Sequence, residues 1–102
     1  MISIDIITPP DKVETIHQNE LPNLKQLQEW VKGYIEVVPY FDRYLRQDCV
    51  VFCNENGKNS NSEINIYATT HWVFSEPSVL GVDYLVGTIV ILYGDQKTLD
   101  KL

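Results

Sequence analysis

Asn23-Leu24-Lys25-Gln26-Leu27-Gln28-Glu29-Trp30-Val31-Lys32-Gly33-Tyr34-Ile35-Glu36-Val37-Val38 reads as a short amphipathic helix that runs straight into a strand. Leu24, Leu27 and Val31 fall on one narrow arc, with Trp30 on its shoulder as a lid on the core edge. Lys25, Gln26, Gln28, Glu29 and Lys32 cover the wet side. Asn23 is a good N-cap, because its amide oxygen can take a free first-turn N–H. Gly33 is the expected left-handed cap, and Lys32 suits the negative helix end. In the strand that follows, Ile35 and Val37 face one way and Tyr34, Glu36 and Val38 the other. Cys49-Val50-Val51-Phe52-Cys53 is a second strand, nearly continuous in apolar residues and therefore covered on both faces. A helix feeding a sheet predicts an α+β domain. The expected form is a small mixed, mostly antiparallel sheet of about five strands, with one amphipathic helix packed on one face.

Working outward, Ile2, Ile4 and Ile6 alternate with Ser3 and Asp5 as a half-buried strand. Thr8-Pro9-Pro10-Asp11 breaks it, and Val13–His17 is expected to return as the second strand of a hairpin. Pro39–Asp48 is aromatic and charged rather than rich in Gly and Ser, so it reads as an ordered insertion. Asn56-Gly57 is the strongest short turn signal, and residues 59–62 form a polar loop. Residues 64–74 fit either period: Ile64, Tyr67, Ala68 and His71 mark a helical face, whereas Ile64, Ile66 and Ala68 alternate. A short helix entering a strand or coil is expected there. Val86–Tyr93 is a buried strand in which Gly87 suggests a bulge or close approach. Gln96–Leu102 is a polar tail or a frayed helical turn.

The chain has 102 residues, the length of one domain, 1–102, and 44% of them are hydrophobic, which favours a packed core over disorder. Fourteen acids against eight bases leave a net charge of −6. That balance disfavours direct nucleic-acid binding and favours a basic partner or a small ligand in a local pocket. The N-terminus reads as a strand rather than a signal peptide, and no apolar run approaches the ~20 residues of a membrane helix. A cytoplasmic protein with no membrane partner is expected.

Chemistry-bearing motifs are sparse. Glycine-rich phosphate loops, G-x-S-x-G, H-E-x-x-H and paired C-x-x-C are all lacking. Cys49 and Cys53, four apart on a strand, point to one face about 13 Å apart, beyond the reach of a disulfide. They read as apolar packing, and a Cys53–His71 nucleophile or a metal site drawn from Cys49, Cys53, His17 and His71 is a remote alternative. No catalytic residue, metal or cofactor is expected. Asp42, Asp48, Glu55 and Glu63 lie along the middle of the chain and, with Tyr40 and Tyr44, are the candidate partner-binding residues. Tyr40, Phe41 and Tyr44 either form an exposed patch or fold back on the sheet. Asn54, Lys58, Asn65, Thr69 and Trp72 are the candidate lining of an alternative small-molecule pocket, Lys58 meeting a phosphate and Trp72 stacking.

At Gly33-Tyr34-Ile35-Glu36-Val37-Val38, followed by Val51-Phe52-Cys53-Asn54-Glu55-Asn56-Gly57-Lys58, the chain resembles domain-of-unknown-function family 3846, small proteins of phages, plasmids and other mobile elements. Asn65, Ala68, Thr69 and Trp72 match the stretch that follows, and Val86-Gly87-Thr88-Ile89-Val90 loosely matches the closing strand. The similarity covers about residues 20–94. The loop before Asn65 lacks the family's prolines, and the insertion at 39–48 is longer than its usual one. The family carries no established activity to transfer residue by residue. The resemblance implies a genomic setting in which small acidic proteins often counter host defence. Two functions are therefore expected. The first is a counter-defence protein that binds a host defence protein, of CRISPR-effector or restriction-enzyme type, and blocks its basic nucleic-acid-binding surface. The alternative is a sponge for a nucleotide signal. A homodimer is left open.

Overall fold

The computed structural model describes residues 1–60 and 62–102, the side chains of Asn59 and Ser60 aside. The alternating isoleucines form β1 (Ile2–Thr8), which turns through a cis Pro9–Pro10 bond into β2 (Lys12–Gln18), the expected hairpin. α1 (Leu24–Val31) starts with a reciprocal cap. The Asn23 side chain accepts from Gln26 N at 2.8 Å, and the Gln26 side chain accepts from Asn23 N at 3.1 Å. Its end differs from expectation. The left-handed residue is Lys32 (φ 63°), outside the last turn, and Gly33 is needed for space instead. A Cβ on Gly33 would stand 2.5 Å from Asn54 Nδ2. Leu27 and Val31 are buried, whereas Leu24, expected on the same arc, is exposed.

β3 (Ile35–Val37) is shorter than the expected strand, and the insertion that follows is ordered as β4 (Arg43–Tyr44), hairpinned onto the start of β5 (Gln47–Asn54). Asn56-Gly57 leads into a single 3-10 turn, Gly57–Ser60, and the expected polar loop at 59–62 includes Asn61, which lies outside the described residues. α2 (Ile66–Ser75) is helical throughout, with no strand or coil half. β6 (Ile89–Tyr93) begins after Gly87, whose φ of 71° separates it from a lone bridge between Ile64 and Val86. α3 (Gln96–Leu99) is capped by Asp95 and buries Leu99, so the tail is docked.

The sheet order is β2-β1-β6-β5-β3, with β4 also on β5. Among the described residues every strand pairing is antiparallel, so the sheet is not mixed. β6 lies at the centre and is buried along its whole length.

Alternation sorts the core into two layers. Ile2, Ile4, Phe52, Val90 and Leu92 pack on one face with Leu27 and Val31 of α1 and Leu99 of α3. Ile7, Cys49, Val51, Ile89 and Ile91 pack on the other face with Ala68 and Trp72 of α2. The single helix expected on one face is thus corrected: helices cover both faces. No helix among the described residues is long and apolar enough to cross a membrane.

Candidate functional site

On the α2 side of the sheet, a cavity of about 150 Å³ opens between β3, the end of β5, the 3-10 turn and the segment before β6. Val38, Pro39, Trp72 and Leu85 form its apolar floor. Three carboxylates, Glu36, Glu55 and Asp83, stand on its lining. Lys58 is inside with them. Its ammonium donates to Asp83 and lies 4.7 Å from the centroid of the Tyr84 ring. The lysine's hydrogen bond, with help from the Tyr84 amide, holds the Asp83 carboxyl below its usual range against a smaller desolvation effect. Burial pushes the Cys53 thiol at the same wall up to about 11, and Glu36 and Asp83 push the same way against Lys58. The cavity therefore offers carboxylates and an aromatic face to a cation, and its own lysine already demonstrates that chemistry.

Of the residues expected to line a nucleotide pocket, Asn54, Lys58 and Trp72 do meet here. Their polar atoms are committed. Asn54 Nδ2 donates to the Val31 and Lys32 carbonyls at 3.1 and 3.2 Å, and buried Trp72 donates Nε1 to the Pro39 carbonyl at 3.0 Å. Asn65 and Thr69 are structural instead. Asn65 is fully buried, caps α2 through Ala68 N, and donates to the Ile7 and Gly87 carbonyls at 2.9 and 3.0 Å. Thr69 Oγ1 accepts the Leu85 amide at 2.9 Å. Sequence spacing placed these residues near one another because they join α2 to the strands, which is packing rather than ligation.

The expected partner-binding set is dispersed. Glu55 lies on the cavity, Glu63 on a separate shallow groove beside Thr8 and Gly87, and Asp42 and Asp48 on the β4–β5 hairpin. Asp48 is paired to Arg43 at 2.6 Å. Tyr40 is exposed, but Tyr44 is 1% exposed and is corrected from a surface contact to a core residue. Its hydroxyl donates to Asp5 at 2.5 Å and meets the Tyr67 hydroxyl at 2.8 Å. Asp5, 3% exposed, also accepts from Tyr93 at 2.9 Å and Thr15 at 2.8 Å. This buried hub was missed in the sequence, although an acid between Ile4 and Ile6 with Ile7 beyond is a signal for one. Asp83 and Tyr84 were missed because a turn residue far along the chain carries no sign of what it faces.

Cys49 and Cys53 share a face of β5 as free thiols, and burial pushes Cys49 up to about 12. Cys53 lines the cavity while His71 lines a different cleft, so the two are not brought together as a nucleophile and base. Among the described residues no group of three His, Cys, Asp or Glu side chains is placed to hold a metal ion.

Six antiparallel strands sandwiched by short helices, with an acid-lined cavity beside α2, define a small α+β domain. The family model described as Domain of unknown function (DUF3846) matches residues 4–101, and the chain belongs to that family. No curated protein and no solved structure matches it.

Proposed function

We propose that this protein binds and blocks a host defence protein, as a counter-defence factor of a phage or mobile element. The observation that carries this reading is the convergence of Glu36, Glu55 and Asp83 on one cavity in a chain of net charge −6. The partner is a protein with a basic nucleic-acid-binding groove, of the CRISPR-effector or restriction-enzyme type. An arginine or lysine from that groove enters the cavity, taking Glu36 and Glu55 as counter-charges while the acidic surroundings cover the DNA path. The fit is to a cation. A nucleotide phosphate would meet three carboxylates and a lysine already held by one of them, so this cavity does not favour the sponge alternative.

The test is inhibition of DNA cleavage by purified effectors and restriction enzymes, with and without the protein. Inhibition should weaken with salt and be lost in Glu36→Lys/Glu55→Lys, two exposed positions where reversal leaves the core intact. Undiminished inhibition by that variant, or none across the panel, rejects the reading.

A further inference from the structure

The β4–β5 hairpin turns through only two residues, Leu45 and Arg46, and both hold positive φ, 50° and 64°. Two-residue turns of this hand suit Asn-Gly. A leucine and an arginine are each penalised in the left-handed region. Such strain persists where the side chains it presents are needed. Here it sets Leu45, 50% exposed, and Arg46 on a cleft of about 270 Å³ between the hairpin and the C-terminal half of α2.

The walls of this cleft are apolar: Tyr44, Leu45 and Phe74. Its other titratable lining residues are basic: Arg43, Arg46 and His71. Arg43 is a brace, donating through Nη1 to Asp48 at 2.6 Å and through Nη2 to the Arg46 carbonyl at 2.7 Å. The Ser75 hydroxyl clamps the hairpin to α2 by accepting the Asp42 and Arg43 amides at 3.0 and 3.2 Å. Asp48 is thereby neutralised, and among the described residues the Arg46 guanidinium has no partner. His71 meets Tyr44, Tyr67 and Phe74 through ring contacts only, which leaves its nitrogens to a guest. Among the described residues no carboxylate lines the cleft, although acids outnumber bases in the chain by 14 to 8.

We propose that this cleft binds a small organic anion, a carboxylate or phosphate monoester carried on an aromatic or branched aliphatic body. The Arg46 guanidinium takes the oxyanion in a forked pair, and a His71 N–H adds a second donor. The body lies between Leu45 and Phe74 against the edge of Tyr44. A long polyanion is excluded by the net charge of the whole chain, so the guest is small. The site shares only α2 with the acid-lined cavity and stands or falls independently of the partner proposed for that cavity.

The probes are phenyl phosphate and benzoate, titrated into the full chain by calorimetry and amide-resolved NMR. Saturable binding on the order of 1 mM is expected, with shifts in residues 43–46 and 71–75. Inorganic phosphate and benzyl alcohol, each holding half of the chemistry, should bind about tenfold more weakly or worse. Arg46→Gln, an exposed change, should weaken phenyl phosphate about tenfold with Tm unchanged. Leu45→Asn/Arg46→Gly should raise Tm and abolish binding, an opposition that a turn with a merely structural role would not show. Absence of saturation by both aromatic anions at about 10 mM overturns the proposal. So does binding indifferent to Arg46→Gln, equal binding of inorganic phosphate (an adventitious ion only), or a lower Tm in the Asn-Gly variant.

Discussion

Asp5→Asn tests the centre of the α2-side layer. The carboxylate is 3% exposed, no cation among the described residues pairs with it, and three hydroxyls from Tyr44, Tyr93 and Thr15 point at it. Two opposing effects meet here. A hydrogen bond to a charged acceptor is worth about 1 kcal/mol more than a neutral one, so three of them contribute about 3 kcal/mol over an amide. An amide, however, is easier to bury, which returns about 1 kcal/mol. Thr15 and Tyr93 both use Oδ1 and can stay on the amide oxygen, whereas Tyr44 faces Oδ2 and must turn its proton toward Tyr67. The net expectation is a loss of about 2 kcal/mol, or a fall in Tm of about 8–16 °C for a domain of this size. Urea unfolding followed by tryptophan fluorescence reads it as a lower midpoint at constant slope. Tyr44→Phe, which removes one donor only, should cost less. If Asp5→Asn matches or exceeds the wild type in stability, desolvation outweighs the hydroxyls and the reasoning is refuted.

Alkaline pH acts on the same hub. Burial, followed by the hydrogen bond to Asp5, pushes the Tyr93 phenol up from 10.0 to about 12, and burial raises Tyr44 further. The neutral phenol is the folded form, so its contribution is full below pH 10 and is lost as pH climbs from 10 to 12. Absorbance titration should show these phenolates appearing with unfolding, and ionisation of all six tyrosines in a still-folded protein would contradict it. Maleimide labelling at pH 8 should leave Cys49 unmodified until denaturant is added and modify Cys53 slowly, in keeping with thiols at about 12 and about 11. Rapid native labelling of Cys49 would show that its layer opens. At the end of α1, Lys32→Gly should stabilise by about 0.5–1 kcal/mol. Gly33→Ala should destabilise by about 1–2 kcal/mol, by driving Asn54 off two carbonyls. The opposite order in thermal melts would return the cap to Gly33.

Periodicity carried most of the fold. The alternation of Ile2, Ile4 and Ile6, the apolar run Cys49–Cys53 and the Asn23-capped start of α1 with Leu27 and Val31 buried all formed where their patterns placed them, Leu24 alone leaving the arc. The family was legible from motifs spread along the chain. What failed was local chemistry whose cause is distant. The expected turn at Asn56-Gly57 did form, but Gly57 is small for a reason the turn signal did not carry: a Cβ there would meet Val86 Cγ2 at 2.9 Å. The β4–β5 hairpin turn, Leu45-Arg46, carries no turn chemistry at all. Ile66–Ser75 is rich in β-branched and aromatic residues, yet the Asn65 cap and burial of Ala68 and Trp72 make it a helix. The cavity was half legible: Asn54, Lys58 and Trp72 were singled out, but for a phosphate, because Asp83 and Tyr84 lie too far along the chain to be read as partners of Lys58.

The two faces of the sheet differ in kind. Under α1 and α3 the layer is hydrocarbon, with Leu27, Val31, Phe52, Val90 and Leu92 in contact. Under α2 the layer holds Asp5, Tyr44, Tyr93 and Asn65, each with its hydrogen bonds made. Buried polar groups are weak devices for raising stability, and apolar replacements often do as well. Here they fix α2 against the sheet. α2 presents Trp72 to an acid-lined cavity and His71 and Phe74 to a base-lined cleft, from adjacent positions on one short helix. An apolar layer would let such a helix slide, whereas Asn65 pins its start to the Ile7 and Gly87 carbonyls and Tyr44 locks the hairpin beside its end. Opposite charges are thus kept in two separate openings by one rigid element, and loosening the Asp5 hub should degrade both openings before it unfolds the chain.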